Sequence, residues 1–321
     1  MIISAWLFSC KKTENPIKYP QGEFPDSSFN LADLNSLYDD YNVAEYKIYG
    51  DVLIVFSSNR GSNGGQFDLV QGDISFIFDQ TTGQFGYGSE ITSDAFLTKL
   101  LKAANTSGND FGPYRVFSSV DGYEYLILSS VNSGGNLDFY YLKNVPVYGT
   151  NLPDVSGPYP VTLLNTSADD AYISFDINQD SVFFSSKAGG NFNIYLKKKP
   201  AETSLTTWFS SSYSASVPID SINSTSDDKC PFVKGKVMVF TSNRPGGLGG
   251  YDLYYSILKN GKWGSAKNMG PKINTSSDEY RPILVSHQDF TNTLMIFSSN
   301  RSGGKGGYDL YMRGMSFTKN R

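Results

Sequence analysis

A unit of sequence that occurs five times constrains what this chain can fold into. Its clearest copy, residues 237–255, reads VMVFTSNRPGGLGGYDLYY: an apolar run, a Thr-Ser pair, a glycine-rich turn and a second stretch opening with Asp252. Related copies lie at 53–69, 125–141, 181–195 and 294–311. The apolar residue before the Ser/Thr-Ser pair recurs at intervals of 72, 56, 56 and 57 residues. Such a period is typical of repeat proteins.

Each unit has the features of a β-hairpin. Four consecutive apolar residues predict a strand buried on both faces, and the glycines allow the tight turn that leads into the next strand. After the fourth copy, Lys262-Trp263 and Ile283-Leu284-Val285 predict further strands. Four antiparallel strands in about 40–57 residues form one propeller blade, so the sequence predicts an all-β, single β-propeller over residues 22–321.

Five copies favour five four-stranded blades. Residues 29–41 align with residues 268–280, so the chain enters at the tail of a blade, and the last copy lacks its outer strand. We expect residues 22–31 to supply that strand and close the ring, which removes an open sheet edge. Six blades are the alternative if the long first interval hides a blade.

The long first interval contains a helical pattern instead. Residues 93–104, SDAFLTKLLKAA, have helix-forming composition, an N-cap candidate in Ser93 and apolar residues at helical spacing. We expect an inserted helix whose apolar face packs on a blade edge. The alternative is that this face docks a partner.

The repeat resembles a known family. The segments FSSNRSGGKGGYDLY and INTSSDEYRP look like the WD-like propeller repeat of bacterial envelope proteins, known from TolB-like proteins and from OmpA-family proteins. The resemblance covers roughly residues 22–321. It implies a propeller whose mouth binds a partner.

The N-terminal residues suggest a lipoprotein. Residues 1–10, MIISAWLFSC, are a short apolar segment in which Leu7-Phe8-Ser9-Cys10 resembles a lipobox, and the following lysines resemble Bacteroidetes-type lipoproteins. Cys10 is the predicted lipidation site, and residues 11–21 are a polar, proline-containing tether. We therefore expect an outer membrane lipoprotein on the periplasmic or cell-surface face, held to the membrane by its lipid alone.

Composition excludes several functional classes. The net charge is −4 without basic blocks, which argues against nucleic acid binding. The two cysteines form no CxxC pair, and His287 is the one histidine, which we expect in a solvated loop. The glycine runs join two strands and open no helix, so they are no dinucleotide site. No catalytic residue, metal motif or cofactor is predicted.

Arginine and aspartate recur in the hairpin turns. Arg60 and Asp68, Arg244 and Asp252, and Arg301 and Asp309 are each eight residues apart, whereas the second copy keeps only Asp138. We expect each aspartate to bond the turn backbone and each arginine to pair with it or stack on the next blade. Ligand binding is the alternative.

Carboxylates precede the predicted first strand of every blade. They are Asp39, Asp40, Asp110, Asp169, Asp170, Asp227, Asp228, Asp278 and Glu279. The first strand of a blade is innermost, so these residues could form an acidic ring at one channel mouth that attracts a basic peptide or a cation such as calcium. The alternative is that each carboxylate caps its own connecting turn.

Two functions remain open. The first is a non-enzymatic, lipid-anchored module that docks an envelope protein or peptide, as the resemblance implies. The alternative is a carbohydrate-active propeller, either glycan-binding or a glycoside hydrolase, since five-bladed hydrolases carry carboxylates at the propeller mouth.

Overall fold

The computed structural model describes residues 16–49, 51–150 and 152–317. Within them the chain forms five antiparallel sheets in a ring, which confirms the predicted all-β propeller of five blades. The predicted signal segment and Cys10 lie outside the described residues. No helix in the described ranges is both long and apolar enough to cross a membrane.

The strands follow one another from the channel outward in each blade. The first strand is β1 (Phe29–Asn30). Blade one contains β2 (Asp40–Tyr49), β3 (Asp51–Ser58), β4 (Asp68–Phe78) and β5 (Phe85–Ile91), with a 3-10 turn at Arg60–Ser62. Blade two contains β6 (Asp110–Phe117), β7 (Glu124–Val131), β8 (Leu137–Val145) and β9 (Asp154–Pro160).

The remaining blades repeat this order. Blade three contains β10 (Asp170–Phe175), β11 (Ser181–Ser186), β12 (Asn193–Lys198) and β13 (Val217–Pro218). Blade four contains β14 (Asp228–Lys234), β15 (Val237–Ser242), β16 (Asp252–Lys259), and an outer edge split into β17 (Lys262–Trp263) and β18 (Lys267–Asn268). Blade five contains β19 (Glu279–Val285), β20 (Thr293–Ser299) and β21 (Asp309–Met315).

The N-terminal strand closes the ring as predicted. In β1, Phe29 pairs with Met312 and Asn30 with Tyr311, so β1 becomes the fourth strand of blade five. Just before it, Phe24 is buried and stacks on Phe290 with ring centroids 3.9 Å apart. Both ends of the described chain therefore belong to one sheet.

The apolar strands are buried because they pack against two neighbouring blades. In β15, Phe240 packs with Ile194 of blade three, whereas the adjacent Val239 packs with Phe297 of blade five. Alternate side chains of a strand point to opposite faces, so a strand between two blades needs apolar residues at every position. This explains the unbroken runs that mark the repeat.

Two helices lie between blades. In α1 (Ala95–Ala104) the N-cap is Asp94, which accepts a hydrogen bond from the Leu97 backbone, and not Ser93. Leu97, Leu100 and Leu101 are buried in the cluster that joins blades one and two, so the apolar face of α1 is already covered. The second helix, α2 (Leu205–Phe209), was not predicted; Trp208 and Phe209 pack with aromatic residues of blades two and three.

His287 is not solvated, and that prediction was wrong. It lies in the loop between β19 and β20, but its ring packs edge-on against Phe76 and Phe290 and is buried. Its Nδ1 accepts a hydrogen bond from the Asp289 backbone at 3.3 Å. The loop folds inward over the joint between blades five and one, which sequence position alone does not indicate.

Each blade is tied to the preceding blade by an asparagine. Asn274 Oδ1 accepts from Leu253 N at 2.8 Å, and its Nδ2 donates to Leu253 O at 3.0 Å. The side-chain amide thus bonds both backbone groups of one residue in the third strand of the preceding blade, as a neighbouring strand would. The equivalent residues are Asn35, Asn105, Asn165 and Asn223, on Leu310, Leu69, Phe139 and Ile194.

Glycine is required in the turns where the backbone lies in close contact with the next blade. A Cβ at Gly306 would lie 1.9 Å from the Tyr38 carbonyl oxygen, across the joint between blades five and one. At Gly249 the distance to the Ser277 carbonyl would be 1.8 Å.

We predict that Gly306→Ala lowers the free energy of unfolding by about 1–3 kcal/mol because the closing joint must open to admit a methyl group.

Chemical denaturation of Gly306→Ala and Gly86→Ala measures this effect. Gly86 lies in the outer strand β5, where an added Cβ would have its nearest neighbour at 3.8 Å. The control should change stability by no more than about 0.5 kcal/mol. Equal stability of the two variants would contradict a tight closing joint.

Candidate functional site

The acidic residues fall into two layers. Asp40, Asp110, Asp170, Asp228 and Glu279 are the first residues of the innermost strands and are fully buried. Asp39, Asp169, Asp227 and Asp278 directly precede them, nearer the channel mouth, and blade two has Asn109 in this position.

The buried layer is occupied by contacts within each blade. Asp40 accepts hydrogen bonds from the backbone and hydroxyl of Ser36 and from the hydroxyl of Ser58. The same turn is capped by Asp228 through Ser224 and by Glu279 through Thr275. These carboxylates face their own connecting turns and not the channel mouth.

The repeated arginines pair with this buried layer. Arg60 lies 2.5 Å from Asp40, Arg301 lies 3.0 Å from Glu279, and Arg244 pairs with Asp228. Each arginine also stacks on an aromatic ring of the strand that precedes it, at Phe56, Phe297 and Phe240. The expected pairing with the aspartate eight residues later is not the one observed.

Those later aspartates bond elsewhere in the turns. Asp252 accepts from the backbone of Leu248 and Gly249, and Asp309 from that of Lys305 and Gly306. Asp68 and Asp138 accept from the side-chain amides of Gln66 and Asn132.

Blades two and three bury a carboxylate without an arginine. Burial raises the pKa of Asp110, and it raises the pKa of Asp170 to about 6. Within the described part of the chain, Oδ1 of Asp170 has no hydrogen-bond partner. Lys187 pairs instead with Asp169 at 3.9 Å. Burial also raises the pKa of Glu279, although Arg301 pairs with it.

The outer layer joins neighbouring blades. Asp227 Oδ1 accepts from Phe192 N at 3.0 Å, Asp278 Oδ1 from Tyr251 N at 2.8 Å, and Asp39 Oδ1 from Tyr308 N at 2.8 Å. A second oxygen of Asp227 accepts from the Tyr251 hydroxyl at 2.9 Å, and one of Asp278 accepts from the Tyr308 hydroxyl at 3.0 Å.

These joints form one wall of an aromatic pocket at the channel mouth, which we call the tyrosine pocket. Its volume is about 280 Å³. It is lined by Asp39, Tyr41, Phe67, Lys229, Tyr251, Tyr280 and Tyr308. Tyr41 stacks on Tyr308 with centroids 5.6 Å apart, and Tyr251 meets Tyr280 edge-on at 5.6 Å. Five rings and two charged groups thus converge on one cavity.

The tyrosine pocket was not predicted from the sequence, although the repeat contains a signal for it. Phe67, Tyr251 and Tyr308 directly precede the repeated aspartates of the turns. Tyr41, Lys229 and Tyr280 directly follow the carboxylates of the buried layer. Both positions recur in every blade, but only the ring geometry places blades four, five and one around the same cavity.

The tyrosine pocket has a floor inside the channel. The hydroxyls of Tyr172 and Tyr280 lie 3.4 Å apart, and Arg281 donates to the Pro113 carbonyl at 3.1 Å. Each contact joins blades that are not neighbours, so it crosses the channel. Tyr172 and Arg281 have positive φ and lie where the first strands are bulged, which turns their side chains toward the axis.

A second cavity opens at the opposite mouth. Its volume is about 440 Å³, and its lining includes Glu45, Arg115, Ile177 and Lys234. Arg115 is paired with Glu124 at 2.8 Å. Its lining also includes the aromatic residues Tyr114, Phe117, Phe175 and Phe232, and Tyr114 stacks on Phe175 with centroids 5.9 Å apart. The tyrosine pocket differs in its phenol hydroxyls held by carboxylates, at Tyr251 and Tyr308.

Lys229 is the cation of the tyrosine pocket. Its Nζ lies 4.3 Å from the ring centre of Tyr251 and 5.1 Å from those of Tyr280 and Phe192. Burial lowers the pKa of Lys229. Burial raises the pKa of Tyr251 and of Tyr308, and their carboxylate partners raise it further, so both phenols remain hydrogen-bond donors. Across the described ranges no group of three or more His, Cys, Asp or Glu residues is placed to hold a metal ion.

Comparisons with known proteins give the fold alone. No protein-family model and no curated protein matches the chain. A thermostable family-43 glycoside hydrolase matches with a TM-score of 0.53 and 10% identity, over 88% of this chain and 91% of that one. The endo-arabinase from Bacteroides thetaiotaomicron and an α-L-arabinofuranosidase from Podospora anserina each match with a TM-score of 0.53 and 10% identity, over 93% of this chain and 98% of theirs.

These matches correct the expected relationship. The repeat resembles TolB-like and WD-like propellers, but the solved structures named above are glycoside hydrolases. The expectation of a non-enzymatic docking module, which followed from that resemblance, was therefore wrong.

The buried Asp170 predicts a pH dependence of stability. Its pKa of about 6 in the folded protein lies above the ordinary value of 3.8. The stability that protonated Asp170 contributes to the fold is therefore fully present below pH 3.8 and is lost as the pH rises through 6. Asp170→Asn stays neutral and can still accept from the Thr166 backbone. We predict that the variant gains about 1–3 kcal/mol over the wild type between about pH 4 and pH 7.5.

Denaturant unfolding at several pH values tests this expectation. Asp26→Asn is the matched control, because the Asp26 side chain is 85% exposed. The control should follow the wild-type curve. Parallel curves for Asp170→Asn and the wild type would show that Asp170 does not titrate between these pH values.

Proposed function

We propose that this protein is a carbohydrate-active propeller that binds a saccharide in the tyrosine pocket. The observation that carries the proposal is the convergence of five aromatic rings with Asp39 and Lys229 at the channel mouth. Aromatic faces stack on the apolar faces of sugar rings, while a few placed polar groups select the hydroxyls. The fold shared with glycoside hydrolases supports the same class of ligand.

The lining residues have distinct roles in this proposal. Tyr41, Tyr251 and Tyr308 offer ring surface together with hydroxyl groups. Asp227 and Asp278 bond the hydroxyls of Tyr251 and Tyr308 and so fix the orientation of both rings. Asp39 accepts hydrogen bonds from sugar hydroxyls, and the floor formed by Tyr172 and Tyr280 limits how far a ligand can enter.

Hydrolysis in this pocket would require two carboxyl groups about 5–9.5 Å apart. Asp39 is the one carboxylate lining the pocket among the described residues. Asp227 and Asp278 stand behind tyrosine hydroxyls and would act on a substrate through those phenols. Asp39→Asn therefore removes the carboxylate that a hydrolytic step would need first.

We predict that Tyr308→Ala weakens oligosaccharide binding at least tenfold, because it removes a stacking surface and frees Asp278. Calorimetric titration with arabino-, xylo- and uronate oligosaccharides measures the affinity, and reducing-end release with the wild type and Asp39→Asn measures hydrolysis. Tyr148→Ala is the control, since Tyr148 is fully exposed and lies outside the pocket. Absence of binding to the whole panel, or equal loss in the control, would contradict the proposal.

We also propose that the protein is anchored to the outer membrane through Cys10. The residues LFSC at 7–10 support this, followed by a polar tether. Expression in a Gram-negative host with a palmitate analogue should label the wild type and Cys230→Ala, but not Cys10→Ala. Labelling that persists without Cys10 would reject the anchor.

A further inference from the structure

Lys229 is a partly buried cation without a carboxylate partner in the described part of the chain. No described carboxylate oxygen lies within 4.0 Å of its Nζ, and three aromatic rings surround it. Aromatic faces attract a cation but accept no conventional hydrogen bond in its place. The ammonium group of Lys229 can therefore donate hydrogen bonds to a ligand at the wall of the tyrosine pocket.

The neighbouring charges are occupied by other contacts. Asp227 bonds Phe192 N and the Tyr251 hydroxyl, and Asp169 pairs with Lys187. Asp39 lies in the same pocket and bonds Tyr308 N. The pocket thus has a cationic side in blade four and an anionic side in blade one.

This arrangement discriminates between ligand classes. A neutral sugar that covered the tyrosine pocket would complete the desolvation of Lys229 without neutralising it, which is unfavourable. A ligand carboxylate would instead form a charge-assisted hydrogen bond with the ammonium. Asp39 would meet the hydroxyl side of the same sugar, where a carboxylate acceptor is useful.

We propose that the saccharide bound in the tyrosine pocket contains a uronic acid residue, whose carboxylate binds Lys229 and whose hydroxyls bind Asp39. This inference rests on the carbohydrate-binding function proposed above and specifies its ligand. The pocket volume of about 280 Å³ is near the lower end of the range for small-molecule sites, about 300–1,000 Å³, which suits one sugar unit with its neighbours outside.

Competitive titration with defined trisaccharides tests the proposal. The probes are trigalacturonate, neutral xylotriose and arabinotriose, and a sulfated neutral trisaccharide. The wild type should bind trigalacturonate at least tenfold more tightly than either neutral sugar, with an affinity that falls as salt is raised. Tighter binding of the sulfated sugar than of trigalacturonate would overturn the uronate assignment.

Variants of Lys229 locate the effect. Lys229→Met keeps the chain length and the packing against the rings, so it should lose at least tenfold in trigalacturonate affinity. Neutral sugars should bind this variant at least as tightly as the wild type, because the cost of desolvating the ammonium is removed. Lys229→Arg should keep the trigalacturonate affinity within about fivefold. This variant also tests the requirement for a positive charge if Lys229→Met does not fold. Lys236→Met is the control, because Lys236 is exposed in the turn between β14 and β15.

The outcomes separate this inference from the proposed function. Binding of neutral sugars as tight as that of trigalacturonate, or an unchanged trigalacturonate affinity in Lys229→Met, overturns the uronate inference and leaves saccharide binding standing. Failure of every sugar to bind the wild type overturns both.

Discussion

The propeller depends on the joint between successive blades. One asparagine bonds both backbone groups of a residue in the preceding blade, as Asn274 does with Leu253. The five residues that follow it form a capped turn that ends in a buried carboxylate, Glu279 in this blade. Buried polar groups are stable only when they are bonded, so this turn has few alternatives to its observed geometry. Its fivefold repetition sets the position of every innermost strand.

The same joints build the candidate site. The outer carboxylates that bond a neighbouring backbone also orient Tyr251 and Tyr308, so ring closure and pocket shape share residues. Blades two and three have diverged most, and they supply no lining residue to the tyrosine pocket. The pocket therefore lies on one side of the channel mouth, where blades four, five and one retain the aromatic repeat positions.

The charged residues of the repeat have different partners in the buried layer and at the channel mouth. Arginine pairs with the buried carboxylate in blades one, four and five, whereas Asp110 and Asp170 have no arginine partner among the described residues. Burial raises the pKa of Asp110, Asp170 and Glu279 alike. Nearer the mouth, the outer carboxylates are hydrogen-bonded, whereas Lys229 contacts aromatic rings and has no carboxylate partner among the residues that the structure describes. The unpaired group is thus a cation at a mouth whose carboxylates are largely engaged, and this asymmetry directs the ligand inference.

The sequence by itself determined the strand order, the five blades and the closure by residues near position 30, because a periodic pattern of apolar residues and turns is a local property. It also contained the carboxylates and arginines, but their partners depended on tertiary structure: Arg60 meets Asp40 and not Asp68, since the turn folds back onto the first strand. The burial of His287 and the helix α2 were likewise set by packing between blades. The tyrosine pocket required the ring itself, because residues as distant as Tyr41 and Tyr308 become neighbours only when blade five closes on blade one.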